Sequence, residues 1–339
     1  MKIRINVGLQ KSNEKKVGKG EKMSTLDEIL KEINKAKSIV ILTHKNPDGD
    51  AIGSSLAMYQ CLKKLGKNVD MIIPEIPRAF KILPCIDEVK KESDIKNYDL
   101  AISLDCASIK LLNGWLNYFD DANERIVIDH HSSNSMFGDL NYVDPSSPAC
   151  AQVLYEIFKY YKFEINNDIG SCIMTGIITD TGGFQYTNVS TETFEITSEL
   201  LSNGVNVSKL YKKMLENHSR ASFELKKIAN DRLEFLEDGK VTFTYITKED
   251  EERVNAEVGD YDGIVNEGRN IEGVEVSIFI HEIDEGLKAS LRANDYVNVA
   301  DVCMMFGGGG HIRAAGANMT GTIEEIKEKL LKEVKRQLK

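Results

Sequence analysis

Short apolar runs alternate with amphipathic stretches through the first two thirds of the chain. Residues 38–43, 69–73, 99–104 and 125–128 are rich in Ile, Val, Leu or Met and break off at polar residues. Runs of this length and composition predict buried strands. Helical spacing fills the intervals. Thr25 and Glu28 form a capping box for a helix to about residue 37. Residues 51–65 form a helix stopped by Gly66, and Pro148 opens another that runs to Tyr161. Residues 168–179 make a largely apolar helix that delivers Asp180, and helices at 191–203 and 207–216 flank Asn203-Gly204. Strands alternating with helices predict an α/β fold with a parallel sheet.

The pattern changes after residue 216. Residues 217–230 are helical and polar, and read as a connection to a second, smaller α/β domain. Residues 240–247 alternate as a strand. Residues 274–283 and 287–293 form a hairpin about Asp284-Glu285-Gly286. Residues 299–306 lead into Gly307, Gly308, Gly309, Gly310 and His311, with a helix expected beyond, and a final amphipathic helix covers about 323–338. The expected organisation is a flexible extension at 1–22, a first domain at 23–216, a helical linker at 217–230 and a second domain at 231–339.

Composition narrows the classes. A chain of 339 residues can build two domains with proper cores, and 42% hydrophobic with 28% charged residues describes a soluble globular protein. The 43 basic against 53 acidic residues give a formal charge of −10, which disfavours duplex nucleic acid as a partner. Six cysteines are scattered without a C-x-x-C pair, as expected in a reducing cytoplasm. No apolar run approaches the ~18 residues of a membrane span, and no apolar segment follows the N-terminal lysines as in a signal peptide. The chain is expected to be cytoplasmic, with no membrane partner.

Polar residues gather where the apolar runs end. His44, Asp48 and Asp50 follow the first strand, Asp105 another, Asp129, His130 and His131 the run at 125–128, and Asp180 closes an apolar helix. Open α/β sheets form their crevices at the C-terminal edges of strands. So many carboxylates at one edge require cations between them, and mixed Asp and His donors suit manganese, iron, zinc or magnesium. Their number suffices for two ions, able to bind a phosphoryl oxygen and generate hydroxide for in-line attack. The four glycines before His311, with Arg292 and Arg313 nearby, read as an anion-binding element. His218 and His281 lack companions, and Cys106 and Trp115 read as packing.

These motifs, in this order, resemble those of the DHH phosphoesterase superfamily: His44-x-x-Pro47-Asp48-Gly49-Asp50, Leu104-Asp105, Asp129-His130-His131 and Thr179-Asp180-Thr181-Gly182, followed by the signature at 307–311 of its DHH-associated C-terminal domain. Within it, the compact length and Thr179-Asp180-Thr181-Gly182-Gly183-Phe184 resemble the NrnA-type branch. The resemblance implies an oligoribonuclease (nanoRNase) that also dephosphorylates 3′-phosphoadenosine 5′-phosphate (pAp), with its active site in a cleft between the two domains. Two divalent ions are implied, manganese before magnesium. His44 and Asp48 would hold one, Asp50, His130 and Asp180 the other, and Asp105 would bridge. His131 would contact the phosphate or protonate the leaving oxygen, with Asp129 orienting the histidine pair. Arg292, Gly307, Gly308, Gly309, Gly310, His311 and Arg313 would grip the substrate, a short single-stranded RNA or DNA, or pAp. A phosphodiesterase for pApA or cyclic dinucleotides and a non-catalytic nucleotide-binding regulator are the competing readings. Oligomeric state, a homodimer included, stays open.

Overall fold

A computed structural model describes residues 23–112, 114–284 and 286–339. The extension expected at 1–22 lies outside the described residues. The chain divides into two units, Met1–Asn217 and His218–Lys339.

The first unit is built on strands β1 (Ser38–Leu42), β2 (Asn68–Ile72), β3 (Val89–Lys90), β4 (Leu100–Leu104), β5 (Arg125–Asp129) and β6 (Leu140–Val143). They pair in the order β3-β2-β1-β4-β5-β6, all parallel. The helices are α1 (Leu26–Lys35), α2 (Gly49–Lys64), α3 (Leu116–Asp120), α4 (Cys150–Tyr160), α5 (Asn167–Asp180), α6 (Thr191–Ser202) and α7 (Val207–Tyr211). Both faces of the sheet are covered, which is why its strands read as unbroken apolar runs. Ile39 and Ile41 of β1 join the large core with α2, α4 and α5, whereas Val40 and Leu42 point the other way onto Phe119 of α3 and Tyr98. Thr25 caps α1 with the expected reciprocal bonds to Glu28. The helix expected over 207–216 changes character midway: after Tyr211 the chain makes a π-helical turn, Lys212–Glu216.

The second unit carries β7 (Glu234–Leu236), β8 (Val241–Ile246), β9 (Val276–Ile283), β10 (Gly286–Ala293), β11 (Gly309–His311) and β12 (Ala314–Met319), in the order β11-β12-β10-β9-β8-β7. Only β8 and β9 run parallel. Helices α8 (Arg220–Asp231), α9 (Lys248–Val254) and α10 (Ile264–Arg269) precede α11 (Val299–Met304) and α12 (Ile323–Lys335). Ile278 and Ile280 of β9 pack with Val302 and Leu330, while Phe279 faces Leu225, Ala229 and Ile264. Thus α8, in the stretch read as a linker, buries an apolar stripe within this unit.

One expectation is corrected. No helix follows the glycine run; residues 309–319 form the hairpin β11–β12 at the sheet edge. Ala314, Ala315 and Ala317 favour a helix in isolation, but cross-strand pairing with β10 decides their conformation.

Candidate active site

The chain leaves β1 for β2 on one side and returns to β4 on the other, so β1 and β4 are neighbours at the point where strand order reverses. Loops leaving such a point diverge and open a crevice at the strands' C-terminal ends. His44 stands two residues beyond β1, Asp105 directly after β4, and Asp129 ends β5 ahead of His130 and His131. Two helix ends complete the ring. Asp48 is the N-cap of α2, with Asp50 in its first turn, and Asp180 is the last residue of α5.

The donor atoms converge. His44 Nε2 lies 3.9 Å from Asp48 Oδ2 and 3.8 Å from Asp105 Oδ2. His130 Nε2 lies 3.4 Å from Asp105 Oδ1, 3.3 Å from Asp180 Oδ2 and 3.8 Å from Asp50 Oδ2. The two oxygens of Asp105 therefore face different imidazoles. Ligand atoms of His44, Asp48 and Asp105, and separately of Asp50, His130 and Asp180, fall within 4.8 Å of one another. Asp105 holds φ +52°, a left-handed backbone that aspartate tolerates better than most residues and that turns the chain off the strand.

Backbone groups fix these side chains. Asp48 Oδ1 accepts from Asp50 N at 3.0 Å and Ala51 N at 3.1 Å, which leaves Oδ2 toward the site. Asp50 is fully buried; its Oδ2 accepts from Cys150 N at 2.5 Å, and its Oδ1 from Ala151 N at 2.8 Å and Ser54 Oγ at 3.2 Å. Ala149, the N-cap of α4, cannot cap with its own side chain, so Asp50 satisfies that helix terminus from a distance. His130 Nδ1 donates to Ser147 O at 3.2 Å, which turns Nε2 to the carboxylates. Asp129 Oδ1 accepts from His131 Nδ1 at 2.8 Å and His130 N at 2.8 Å.

Sequence reading missed Asn134. Its Nδ2 donates to Asp129 Oδ2 at 2.6 Å and to Cys106 O at 3.1 Å, and its Oδ1 accepts from Met136 N at 2.7 Å. One amide thus ties the loop after β5 to the loop after β4. Its only sequence signal is an Asn poised to close a turn two residues on.

The electrostatics ask for cations. Burial opposes charge on His44, but the Asp105 carboxylate 3.8 Å away, with the Asp48 and Asp180 charges, raises its pKa to about 9. His130 is likewise held well above its ordinary value by Asp105 and Asp180 against the pull of burial. Burial and the charges of Asp105 and Asp180 push Asp50 well above the usual carboxylate range. Burial would push Asp105 the same way, yet the His130 and His44 imidazoles beside its two oxygens hold it low. Asp105 Oδ1 is buried without a well-formed hydrogen bond. Protons therefore occupy places that divalent cations fit, among oxygen and imidazole donors without a thiolate.

The second-unit candidates occupy one sheet. Arg292 of β10 and His311 of β11 both register with Ala314 of β12, so they lie in one row two strands, or ~10 Å, apart. Side chains in such a row share a face. Gly308 and Gly310 have steric reasons to be glycine: a Cβ would stand 2.2 Å from Gly316 O at the first and 2.5 Å from Ala314 O at the second. Gly307 adopts φ +76°, whereas Gly309 has open space around it. Arg313 Nη1 donates to Val297 O at 2.8 Å and its Nη2 to Asp295 O, pinning the loop after β10.

Comparison with known proteins adds an independent line. The chain matches the model described as DHH family, N-terminal domain over residues 38–177, and the DHHA1 domain over residues 238–339. It is 33% identical over 320 residues to the bifunctional oligoribonuclease and PAP phosphatase NrnA of Thermus thermophilus, covering 94% of this chain and 95% of that one. The Bacillus subtilis protein of the same name is 24% identical over 86% of this chain and 92% of its own. Among solved structures, an exopolyphosphatase-related protein from Bacteroides fragilis is similar with a TM-score of 0.84 and 28% identity, covering 92% and 95% of the two chains. Among the described residues no helix is long and apolar enough to cross a membrane.

Proposed function

The chain belongs to the DHH family of phosphoesterases, and from that premise we propose that it hydrolyses short oligoribonucleotides to mononucleotides and removes the 3′-phosphate of pAp. Both activities stand in the names of its Thermus thermophilus and Bacillus subtilis relatives. The observation that carries the reading is Asp105, with Oδ2 toward His44 and Oδ1 toward His130. A carboxylate so placed can serve two ion positions at once.

His44 and Asp48 would hold one divalent cation, Asp50, His130 and Asp180 the other, with Asp105 shared. Bound there, the pair would supply Lewis-acid polarisation of the phosphoryl oxygens and a lowered pKa for the attacking water. The hard oxygen and imidazole donors suit manganese, with magnesium second.

The remaining roles belong to the chain's own groups. His131 commits Nδ1 to Asp129, so a proton given to the leaving oxygen departs from Nε2. Asp129 fixes that tautomer and favours the imidazolium, and Asn134 holds Asp129 in turn. In the second unit, Arg292, His311 and the run Gly307, Gly308, Gly309 and Gly310 would bind the substrate's phosphate or terminal nucleotide. Arg313 would act by holding the loop that follows Arg292. A formal charge of −10 suits short single strands gripped locally rather than a duplex followed by its charge. Five of the six free cysteines are buried, which suits a reducing compartment, and we place the enzyme in the cytoplasm.

A substrate panel tests the reading. RNA 2–5-mers, pAp, pApA and cyclic di-AMP are assayed with manganese or magnesium, in wild type and in Asp105→Ala. Release of mononucleotides from the short RNAs and of phosphate from pAp is expected, with turnover abolished in the variant. Exclusive turnover of cyclic di-AMP, or near-normal activity in Asp105→Ala, would sink the proposal. Arg292→Ala should chiefly raise KM.

A further inference from the structure

Helices α2 and α5 cross closely enough to bring Asp50, near the start of one, toward Asp180, at the end of the other. The crossing depends on glycines. A Cβ at Gly53 would lie 2.4 Å from Cys172 O and 3.1 Å from Gly176 N, so the two backbones touch there. Gly176 sits in the interior of α5 and is not among the glycines with positive φ. Its backbone is therefore one that alanine adopts readily, and in a helix interior glycine is less favourable than alanine. Something other than local conformation retains it.

The atom nearest the missing side chain belongs to the Asp50 carboxylate. A Cβ at position 176 would stand 2.4 Å from Asp50 Oδ1, 2.6 Å from Ala151 Cβ and 3.2 Å from Asp50 Cα. The oxygen has no open direction of retreat, because Asp50 is fully buried and bound to Cys150 N, Ala151 N and Ser54 Oγ. Moving it would break its link to the α4 terminus and shift it relative to His130 Nε2, now 3.8 Å from Oδ2.

We infer that Gly176 is a positioning residue: its missing side chain is the space in which the Asp50 carboxylate is held toward His130 and Asp180. The inference rests on the two-cation reading above. It assigns to Gly176 an effect on one of the two ion positions, since Asp50 gathers with His130 and Asp180 and not with His44, Asp48 and Asp105.

Manganese bound per chain, measured by equilibrium dialysis with elemental analysis on the full-length protein, tests this. Wild type should bind two ions. Gly176→Ala should keep one at wild-type affinity and bind the second about 10–100-fold more weakly, the usual effect of disturbing a ligand's support. Gly170→Ala is the control. Its Cβ would also be crowded, 2.8 Å from Val205 Cγ2, but by apolar side chains, and it should bind two ions normally. Two ions at unchanged affinity in Gly176→Ala overturn the inference. A wild type that binds fewer than two overturns the two-cation reading instead, and a stability cycle then decides on Gly176 alone. In that cycle Gly176→Ala is introduced into wild type and into Asp50→Ala, and melting temperatures are compared. The substitution should be markedly less harmful when the carboxylate is absent. Equal harm in both backgrounds would assign the obstruction to Ala151 and overturn the inference, even if Gly176→Ala alone does not fold.

Discussion

His44 should make the stability of the metal-free protein fall as pH rises. Its side chain is 19% exposed, and the Asp48, Asp105 and Asp180 charges hold its folded pKa at about 9, against 6.5 for an ordinary histidine. A pKa raised on folding contributes stability that is fully present below about 6.5 and is lost as pH climbs through about 9. The separation of the two values corresponds to about 3 kcal/mol. For a unit of this size that is a melting shift of roughly 6–12 °C. The assay is urea denaturation in EDTA at several pH values between 6 and 10, for wild type and His44→Gln. Trp115, the chain's only tryptophan, lies in the first unit, with its Nε1 donating to Lys91 O at 3.2 Å, so its fluorescence follows that unit's unfolding. Wild type should exceed the variant by about 3 kcal/mol more at pH 6 than at pH 10. A difference between the two proteins that stays constant across this range would refute the reasoning.

Three further outcomes are expected. Manganese binding at pH 7.5 should release protons, because His44, its pKa raised to about 9, holds one there that a metal must displace; calorimetry in buffers of different ionisation enthalpy reads the number, and zero would contradict the scheme. Asn134→Ala removes a charge-assisted bond of about 1.5–3 kcal/mol from Asp129 and should lower kcat roughly 10–100-fold with little change in KM, whereas a kcat within twofold of wild type would assign the tether no catalytic role. In the second unit, Asp250→Ala strips Arg232 and Arg253 of their shared carboxylate and should destabilise by about 3 kcal/mol in chemical denaturation. Hydrogen bonds from Arg232 and Thr247 outweigh burial and hold the Asp250 pKa low, so its contribution should be present above the unfolded carboxylate range and vanish as pH falls through the lowered value.

The parallel sheet was legible because each of its main strands is buried on both faces. Ile39, Val40, Ile41 and Leu42 can all be apolar only when helices cover one side and α3 with its neighbours the other. The polar residues that end those runs stand out for the same reason, and so His44, Asp105 and Asp129 could be read as edge residues. Short or weakly patterned elements did not show. β3 has two residues, and β12 reads Ala-Ala-Gly-Ala-Asn-Met, which has little intrinsic strand preference and depends on β10 for its conformation. Asn134 and Gly176 were invisible for a different reason. Their importance lies in groups that folding brings to them, Cys106 O for the first and the Asp50 carboxylate for the second.

The fold holds these acids in place largely with dipoles. Asp48 takes the N–H groups at the start of α2, Asp50 those at the start of α4, and Asp129 an amide from Asn134. Among the described residues their ionic partners are histidines: His44 for Asp48 and Asp105, His130 for Asp50, Asp105 and Asp180, and His131 for Asp105 and Asp129. The choice has a chemical consequence. An arginine or lysine there would neutralise the carboxylates permanently and occupy the space between them. Backbone dipoles orient an acid without cancelling its charge, and a histidine gives up its proton when a metal takes its nitrogen. The same groups can therefore be stable with protons in the metal-free protein and become ligands when ions arrive. Protons and divalent cations compete for His44 and His130, so manganese affinity should strengthen from pH 6 to pH 8, opposite in direction to the stability of the metal-free protein.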